Sequence, residues 1–184
     1  MEAISKTFKA EKIFKLILIT VLGSLLITLS AKIKIPFYPV PMTMQTFVIL
    51  LIGITFGYKI GLATVTLYLF EGIIGLPVFA GSPEKGIGLT YFIGPTMGYL
   101  IGFLFATFLA GYFNFKENIL INFIKLLFSV SIIYIFGIIW LGNLIGWDKP
   151  IFQLGVTPFL LAELFKISIL TLLAKNIFKL RRFI

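Results

Sequence analysis

Stretches of about 20 apolar residues recur along this 184-residue chain, and they restrict its fold more than any other feature. A helix of that length crosses the hydrocarbon core of a bilayer, because each residue adds about 1.5 Å. Charged residues make up only 12% of the chain, about half the fraction of a soluble domain. The sequence therefore predicts an all-α integral membrane protein, with room for about six spans and no extramembrane domain. Residues 1–184 are expected to form one transmembrane domain.

Loops that are rich in glycine, proline or charge separate the apolar stretches and divide them into six predicted spans. The first follows N-terminal lysines and is interpreted as a helix rather than a signal peptide, because further spans come after it. The predicted spans are residues 13–33, 45–56, 62–74, 91–113, 119–145 and 158–179.

The distribution of basic side chains predicts the orientation of the spans. Eleven Lys and Arg residues fall on the side of the two termini and four on the other side, and cytoplasmic segments are enriched in these residues. Both termini are therefore expected inside the cell (N-in, C-in). All eight prolines fall at the outer ends of the spans, which predicts rigid loops and a small-molecule pocket on the outer face.

The composition excludes several function classes. The net charge of +9 does not indicate nucleic-acid binding, because the cations cluster at helix ends. The chain contains no Cys and no His, so disulfides, thiolate chemistry, imidazole catalysis and the usual zinc sites are excluded. No metal site or cofactor is predicted. An integral-membrane enzyme and a structural membrane subunit are less favoured alternatives.

The segment Gly75–Phe103 is the longest glycine-rich break between apolar stretches. Irregular backbone near membrane depth is tolerated only where it is buried in protein or lines a cavity. This segment is therefore predicted to form the mouth of a ligand pocket, with contacts from Phe79, Gly81 and Ser82. Small residues then recur at every fourth position, which predicts close packing of another helix on Gly94, Gly98, Gly102, Ala106 and Ala110.

Two charged residues, Glu163 and Lys166, lie within the last predicted span and share one helix face. Charges at membrane depth are costly, so the pair either neutralises itself inside the bundle or meets a ligand. In a ligand site, the Lys166 ammonium would receive a carboxylate, and Glu163 would accept N–H groups of a urea-like or amide group. Glu71 could partner Lys166 or reach the outer membrane interface, and the interface is favoured.

Uncharged polar and aromatic residues have two possible roles each. Thr43 and Gln45 could cap the second helix or contact the ligand. Tyr68 and Tyr99 could pack in the bundle or line the pocket. A small or hydroxyl stripe on the first span is either a docking face for a partner subunit or an internal packing face, and it comprises Thr20, Ser24 and Thr28.

Three motifs together resemble the BioY family, the substrate-binding S components of energy-coupling-factor (ECF) biotin transporters. They are PVPMTMQT at Pro39–Thr46, LYL followed by GIIGLPVFAG at Leu67–Gly81, and GPTMGYLIGF at Gly94–Phe103. The resemblance implies six helices, an outward-facing biotin site and no cofactor besides the ligand biotin. It also implies a transmembrane coupling subunit and two ATP-hydrolysing subunits as partners, in the plasma membrane of a prokaryote.

The resemblance also implies roles for particular residues. S components of this group usually dock through an Ala-xxx-Ala pair on the first helix, and Ser24 and Thr28 stand at that place. The family's Pro-Gly-Asp-x-x-Lys pattern on the last helix corresponds here to Leu161–Lys166, with Glu163 in place of the aspartate. Lys166 would then pair with the carboxylate or another polar end of biotin, and Glu163 would take the ureido N–H groups or hold Lys166.

Other transport functions fit the same scaffold. The alternatives are an S component for another small vitamin and a solitary biotin facilitator. The chain has no G-x-x-x-x-G-K-[ST] phosphate-binding loop, so energy would come from partner subunits or uptake would be facilitated.

Overall fold

The fold is almost entirely helical, and the structure, a computed structural model, describes residues 2–36 and 38–183. Side chains of residues 2–10, 12 and 183 fall outside the described part, and with them most of the N-terminal lysine cluster. The helices are α1 (Glu2–Lys32), α2 (Gln45–Ile73), α3 (Gly88–Phe92), α4 (Met97–Tyr112), α5 (Ile119–Ile145), α6 (Ile151–Gly155) and α7 (Leu160–Phe178), with 3-10 turns at Thr157–Phe159 and Lys179–Phe183.

Two short strands, β1 (Lys34–Ile35) and β2 (Met42–Thr43), were not predicted from the sequence. They pair antiparallel, with Lys34 opposite Thr43, and so fold the proline-rich segment back beside the end of α1.

Several helices have the length and composition of membrane spans, which confirms the all-helical membrane prediction at that level. Four apolar segments in the described part of the chain are long enough to cross a bilayer: Ile13–Lys32, Gln45–Ile73, Ile119–Ile145 and Ile151–Arg182. Met97–Tyr112 is a shorter apolar helix.

The helix α2 reverses direction at Gly57 and is therefore a helical hairpin. Gly57 has φ 80° and ψ 173°, a conformation that only glycine adopts readily. The Cα atom of Gly53 lies 3.6 Å from the position that a Cβ on Gly61 would take, whereas eight residues of straight helix would separate them by about 12 Å. The two arms correspond to the separate spans predicted at residues 45–56 and 62–74.

The C-terminal segment closes this hairpin through Arg181. The last carbonyls of a helix have no partner within it. The Arg181 guanidinium donates to two such carbonyls of the first α2 arm, those of Gly53 at 2.8 Å and Ile54 at 2.7 Å. It also donates to the carbonyl of Ala110, at 3.3 Å near the end of α4. Arg181 therefore joins three chain segments at this end of the bundle.

The small-residue ridge predicted on α4 packs closely, as expected. A Cβ on Gly102 would lie 2.7 Å from the Cα of Ile133 on α5, and Ala106 and Ala110 are fully buried. The helix itself begins at Met97, not at residue 91 as predicted. Pro95 disfavours helical backbone in the preceding residue, and α3 forms a separate short turn before it.

The stripe predicted as a docking face turns partly into the bundle. Ser24 is fully buried, and its hydroxyl donates a hydrogen bond to Glu71 on the second arm of α2. Thr20 and Thr28 are half-buried. The partner-docking role of the three residues stays a prediction. Glu71 accepts this hydrogen bond and does not pair with Lys166, which donates to Thr43, Thr46 and Glu163. The position of Glu71 at the outer membrane interface stays a prediction.

Candidate functional site

A pocket of about 530 Å³, including its open side, lies where the predicted outer loops meet the helix ends. Every helix except α1 and α6 contributes to its wall, together with β2 and the loop between α2 and α3 (residues 74–87, the pocket loop). The lining residues are Val40, Pro41, Met42, Thr43, Gln45, Thr46, Phe79, Ala80, Tyr91, Thr96, Tyr99, Leu100, Phe103, Ile133, Tyr134, Phe159 and Glu163.

The charged pair of α7 forms a buried network beside this pocket. Glu163 is 6% exposed and Lys166 is 4% exposed, and their side chains form an ion pair through Glu163 Oε1. Thr46 bridges the two, since its hydroxyl donates to Glu163 Oε1 at 2.9 Å and accepts from Lys166 Nζ at 2.6 Å. The network joins the start of α2 to α7.

Protein acceptors satisfy the ammonium group of Lys166 fully. Its three N–H groups donate to the carbonyl of Thr43 at 3.0 Å, to the hydroxyl of Thr46 and to the carboxylate of Glu163. An ammonium has three donors, so none is left for a ligand. Lys166 also does not line the pocket. This geometry argues against the expectation that Lys166 receives the ligand's carboxylate, and it makes Lys166 the residue that holds Glu163.

The two carboxylate oxygens of Glu163 differ in their hydrogen bonds. Oε1 takes both hydrogen bonds of the network, whereas Oε2 is buried and accepts no hydrogen bond of normal geometry within the described chain. The hydroxyl of Tyr134 is the nearest polar neighbour of this carboxylate on the pocket side. A buried acceptor without a partner is costly, and a ligand donor would remove that cost. Because Glu163 lines the pocket, Oε2 is suited to accept an N–H group from a bound molecule.

An aromatic cluster around Phe79 forms another part of the pocket wall. The ring of Phe79 stacks on Tyr91, with centroids 5.2 Å apart, and meets Tyr68 edge to face at 5.6 Å. It also contacts Gly72 so closely that a Cβ at position 72 would overlap the ring. The GIIGLPVFAG motif therefore places an aromatic face in the pocket, and Gly72 is the residue that makes space for it.

Two lysines hold the pocket loop in place. Lys32, at the end of α1, donates to the carbonyls of Pro77 at 2.8 Å, Phe79 at 2.9 Å and Ser82 at 2.8 Å. Lys34 donates to the carbonyl of Ala80 at 2.7 Å. The sequence indicated these lysines only as outer cations. In the structure they donate hydrogen bonds to backbone carbonyls of the loop that carries Phe79 and Ala80 into the pocket.

The structure brings five of the nine predicted ligand-binding residues to the pocket surface: Thr43, Gln45, Phe79, Tyr99 and Glu163. The other four, Lys166, Tyr68, Gly81 and Ser82, lie behind it.

Three of the residues behind the surface support residues that line it. Gln45 Nε2 donates to the hydroxyl of Tyr68 at 2.7 Å. The amide of Gly81 donates to the hydroxyl of Tyr91 at 2.9 Å, and the hydroxyl of Ser82 donates to the carbonyl of Phe79 at 2.8 Å. Their positions make them supports for the pocket wall.

Sequence reasoning missed Thr46, Tyr91, Tyr134 and Phe159 as pocket residues. Thr46 ends the PVPMTMQT motif, so the motif itself could have indicated it. Nothing in the sequence distinguishes the aromatic residues of the pocket, because 16% of the chain is aromatic and many of these side chains lie outside the pocket. Burial raises the pKa of the Tyr91 phenol above its usual value, so Tyr91 remains neutral near pH 7.

Comparisons with known proteins agree on the relationship of this chain. A BioY family model matches residues 4–183. The probable biotin transporter BioY of Pyrococcus horikoshii is 34% identical over 152 residues, which cover 83% of this chain and 89% of that protein. The biotin transporter BioY of Thermotoga maritima is 35% identical over 156 residues, covering 84% and 90%.

A solved structure shows the same fold. The crystal structure of the S-component for biotin from an ECF-type ABC transporter matches with a TM-score of 0.75 at 27% identity, covering 92% of this chain and 93% of that chain. These relatives are transport proteins, which confirms the expectation that the chain is not an enzyme. A match over nearly the whole sequence, with the same helical architecture, shows that this chain belongs to the BioY family.

Proposed function

We propose that this protein binds biotin and mediates its uptake as the S component of an ECF-type transporter. The observation that carries the proposal is the unpartnered Oε2 of Glu163, a buried anionic acceptor in a pocket that is otherwise largely aromatic and aliphatic. Biotin has the complementary chemistry, since its ureido ring carries two N–H donors next to an apolar bicyclic body. The names of the related transporters and of the matching S-component support the same ligand.

The positions of the polar groups suggest how biotin would lie. The ureido ring would sit against Glu163, with the carboxylate held in place by Lys166 and Thr46. The thioether ring would lie against Phe79 and Tyr99, which line the pocket. The valerate tail would then extend toward the open side. This orientation keeps the ureido ring at Glu163, as the family resemblance implied, and places the valerate carboxylate away from Lys166.

A second cavity continues the pocket outward and carries a cation. It shares Pro41, Tyr91 and Thr96 with the pocket, and its other lining residues are Tyr38, Pro39, Lys85, Thr90, Gly94 and Pro95. Lys85 is the one basic residue that lines either cavity within the described chain. In this proposal its ammonium group attracts the valerate carboxylate at the mouth.

Replacement of Lys85 by glutamine is expected to weaken the binding of biotin by about two- to fivefold, the usual effect of an exposed ion pair. The affinity for biotin carboxamide, which lacks the negative charge, should stay the same. Isothermal titration of both ligands measures this difference. Lys149→Gln, an exposed lysine that is paired with Asp148 outside both cavities, serves as the control. Equal losses for the two ligands would contradict the role of Lys85.

We also propose six membrane crossings with both termini inside the cell. The reversal of α2 at Gly57 supports two crossings for that segment, and the apolar helix Met97–Tyr112 supports another. The excess of basic residues near both termini supports the orientation. The proposed location is the plasma membrane of a prokaryote, and the relatives named above are bacterial and archaeal proteins.

The energy source in this proposal is a partner module with a transmembrane coupling subunit and a pair of ATP-hydrolysing subunits. The matching solved chain belongs to an ECF-type ABC transporter, which supports such partners. Purification of the tagged protein from its own cells should recover ATPase subunits if the module is present. Their absence would favour a solitary facilitator.

Equilibrium binding of radiolabelled biotin to the purified, detergent-solubilised protein tests the function directly. We expect saturable binding that unlabelled biotin displaces and that other small vitamins do not. A protein that remains folded but binds no biotin at micromolar concentration would contradict the proposal. Displacement by a different vitamin would identify an S component of another specificity.

A further inference from the structure

The end of the bundle opposite the pocket carries a groove of about 810 Å³, including its open side, with five basic residues. This cationic groove is lined by Lys116, Lys175, Phe178, Lys179, Arg181 and Arg182. No acidic residue of the described chain lines it. Glu117 is the acid nearest in sequence to Lys116, and it forms an ion pair with Lys125 at 2.9 Å. The groove therefore has a strong and uncompensated positive charge.

The residues that line the cationic groove differ in their contacts with the protein. Arg181 is engaged with backbone carbonyls and lies 4.4 Å above the ring of Phe178, so these two residues form the base of the groove. The other four basic side chains are exposed and make no hydrogen bond or ion pair to the described part of the protein: Lys116, Lys175, Lys179 and Arg182. They are available for an anion.

A second groove of about 550 Å³, including its open side, begins beside the cationic groove and is almost entirely apolar. This apolar groove lies between the start of α5 and the middle of α7, and its lining residues are Ile119, Leu120, Phe123, Ser168, Thr171 and Leu172. The two grooves are continuous along α7, because Ser168, Leu172, Lys175 and Lys179 follow at intervals of three or four residues on one helix face. On the other wall, Lys116 precedes Ile119 by three positions.

We propose that these two grooves together bind one anionic phospholipid. The phosphate lies among the four exposed basic residues of the cationic groove, and an acyl chain lies in the apolar groove. Basic pockets at the ends of membrane helices attract anionic headgroups, and apolar grooves between helices accommodate lipid chains. Neither a free phosphate nor an acidic protein segment would use both grooves. The proposal does not depend on the identity of the transported ligand.

Native mass spectrometry of the intact protein in detergent, titrated with phosphatidylglycerol or phosphatidylcholine, tests the headgroup contacts. We expect tighter retention of phosphatidylglycerol. Lys175→Gln should weaken it by about fivefold, the usual effect of one lysine near an anionic surface. Lys59→Gln is the matched control, because Lys59 is an exposed lysine at the same end of the bundle outside both grooves. Equal effects of the two variants, or no preference between the lipids, would overturn the proposal.

A second pair of variants tests the acyl-chain contact. Leu172→Trp should fill the apolar groove and lower the retention of phosphatidylglycerol, whereas Leu173→Trp, at an exposed neighbouring position outside the groove, should not. Inorganic phosphate added in excess should displace little lipid. Full displacement by inorganic phosphate, or equal behaviour of the two tryptophan variants, would show that an anion alone occupies the cationic groove and would overturn the lipid proposal.

Discussion

Replacement of Glu163 by glutamine is expected to weaken biotin binding by about 10- to 150-fold, the equivalent of about 1.5–3 kcal/mol for a hydrogen bond to a charged group. Glutamine keeps the shape of the side chain, but it loses the negative charge. One end of its amide carries N–H donors, which would face the N–H donors of the ureido ring. Isothermal titration or radioligand binding to the purified variant measures the change.

Glu71→Gln provides the matched control for this result. Glu71 is a second acid within an apolar helix, and its carboxylate bonds to Ser24 on α1 and does not line the pocket. We expect its affinity for biotin to stay within about twofold of the original, because no ligand contact changes. An unchanged affinity in Glu163→Gln would show that Oε2 does not meet the ligand, even if the protein binds biotin.

Replacement of Lys166 by methionine is expected to destabilise the protein by about 3–5 kcal/mol, since it leaves the carboxylate of Glu163 buried without a counter-charge. Both side chains of the pair are almost fully buried, at 4% and 6% exposed, so water screens the remaining carboxylate poorly. Methionine has a similar length and is apolar, which limits the loss of packing. The thermal unfolding midpoint in detergent, measured without ligand, should fall clearly below that of the original protein.

The double variant Glu163→Gln with Lys166→Met separates stability from ligand binding. Removing both charges of a buried pair is often neutral, so most of the stability lost in Lys166→Met should return. The affinity for biotin should stay low, because the anionic acceptor is absent. A double variant that remains as unstable as Lys166→Met would contradict the ion-pair explanation. One that regains biotin affinity would contradict the role of Glu163.

The helices of this protein were predictable because apolar length and small-residue spacing are local properties of the sequence. The prediction for α5, residues 119–145, coincides with the observed helix. The ridge on α4 was predicted as a packing face, and it packs against α5 at Gly102. Boundaries near prolines and glycines were less accurate. The start of α4 depends on how residues 93–96 turn between α3 and α4, and local propensity does not determine that geometry.

The candidate site was predictable only in part. Glu163 and Lys166 were conspicuous, because charges within an apolar span are costly and therefore rare. Which of the two faces the ligand depends on Thr46, a residue 117 positions away from Glu163 whose hydroxyl joins the pair. The contacts of Lys32 with the pocket loop are similarly remote, since 45–50 positions separate donor and acceptor.

By itself, the sequence determined that the chain is a helical membrane protein, that its buried charges lie on the last helix, and that its motifs resemble a family of biotin transporters. These conclusions rest on hydrophobic length, on the cost of charge in lipid and on contiguous motifs, all of which can be read along the chain. Only the tertiary structure decided that Lys166 is saturated by protein acceptors while Oε2 of Glu163 is not. The physical reason is that hydrogen bonds depend on positions in space, and two of the three acceptors of Lys166 come from β2 and the start of α2, far from α7 in the sequence.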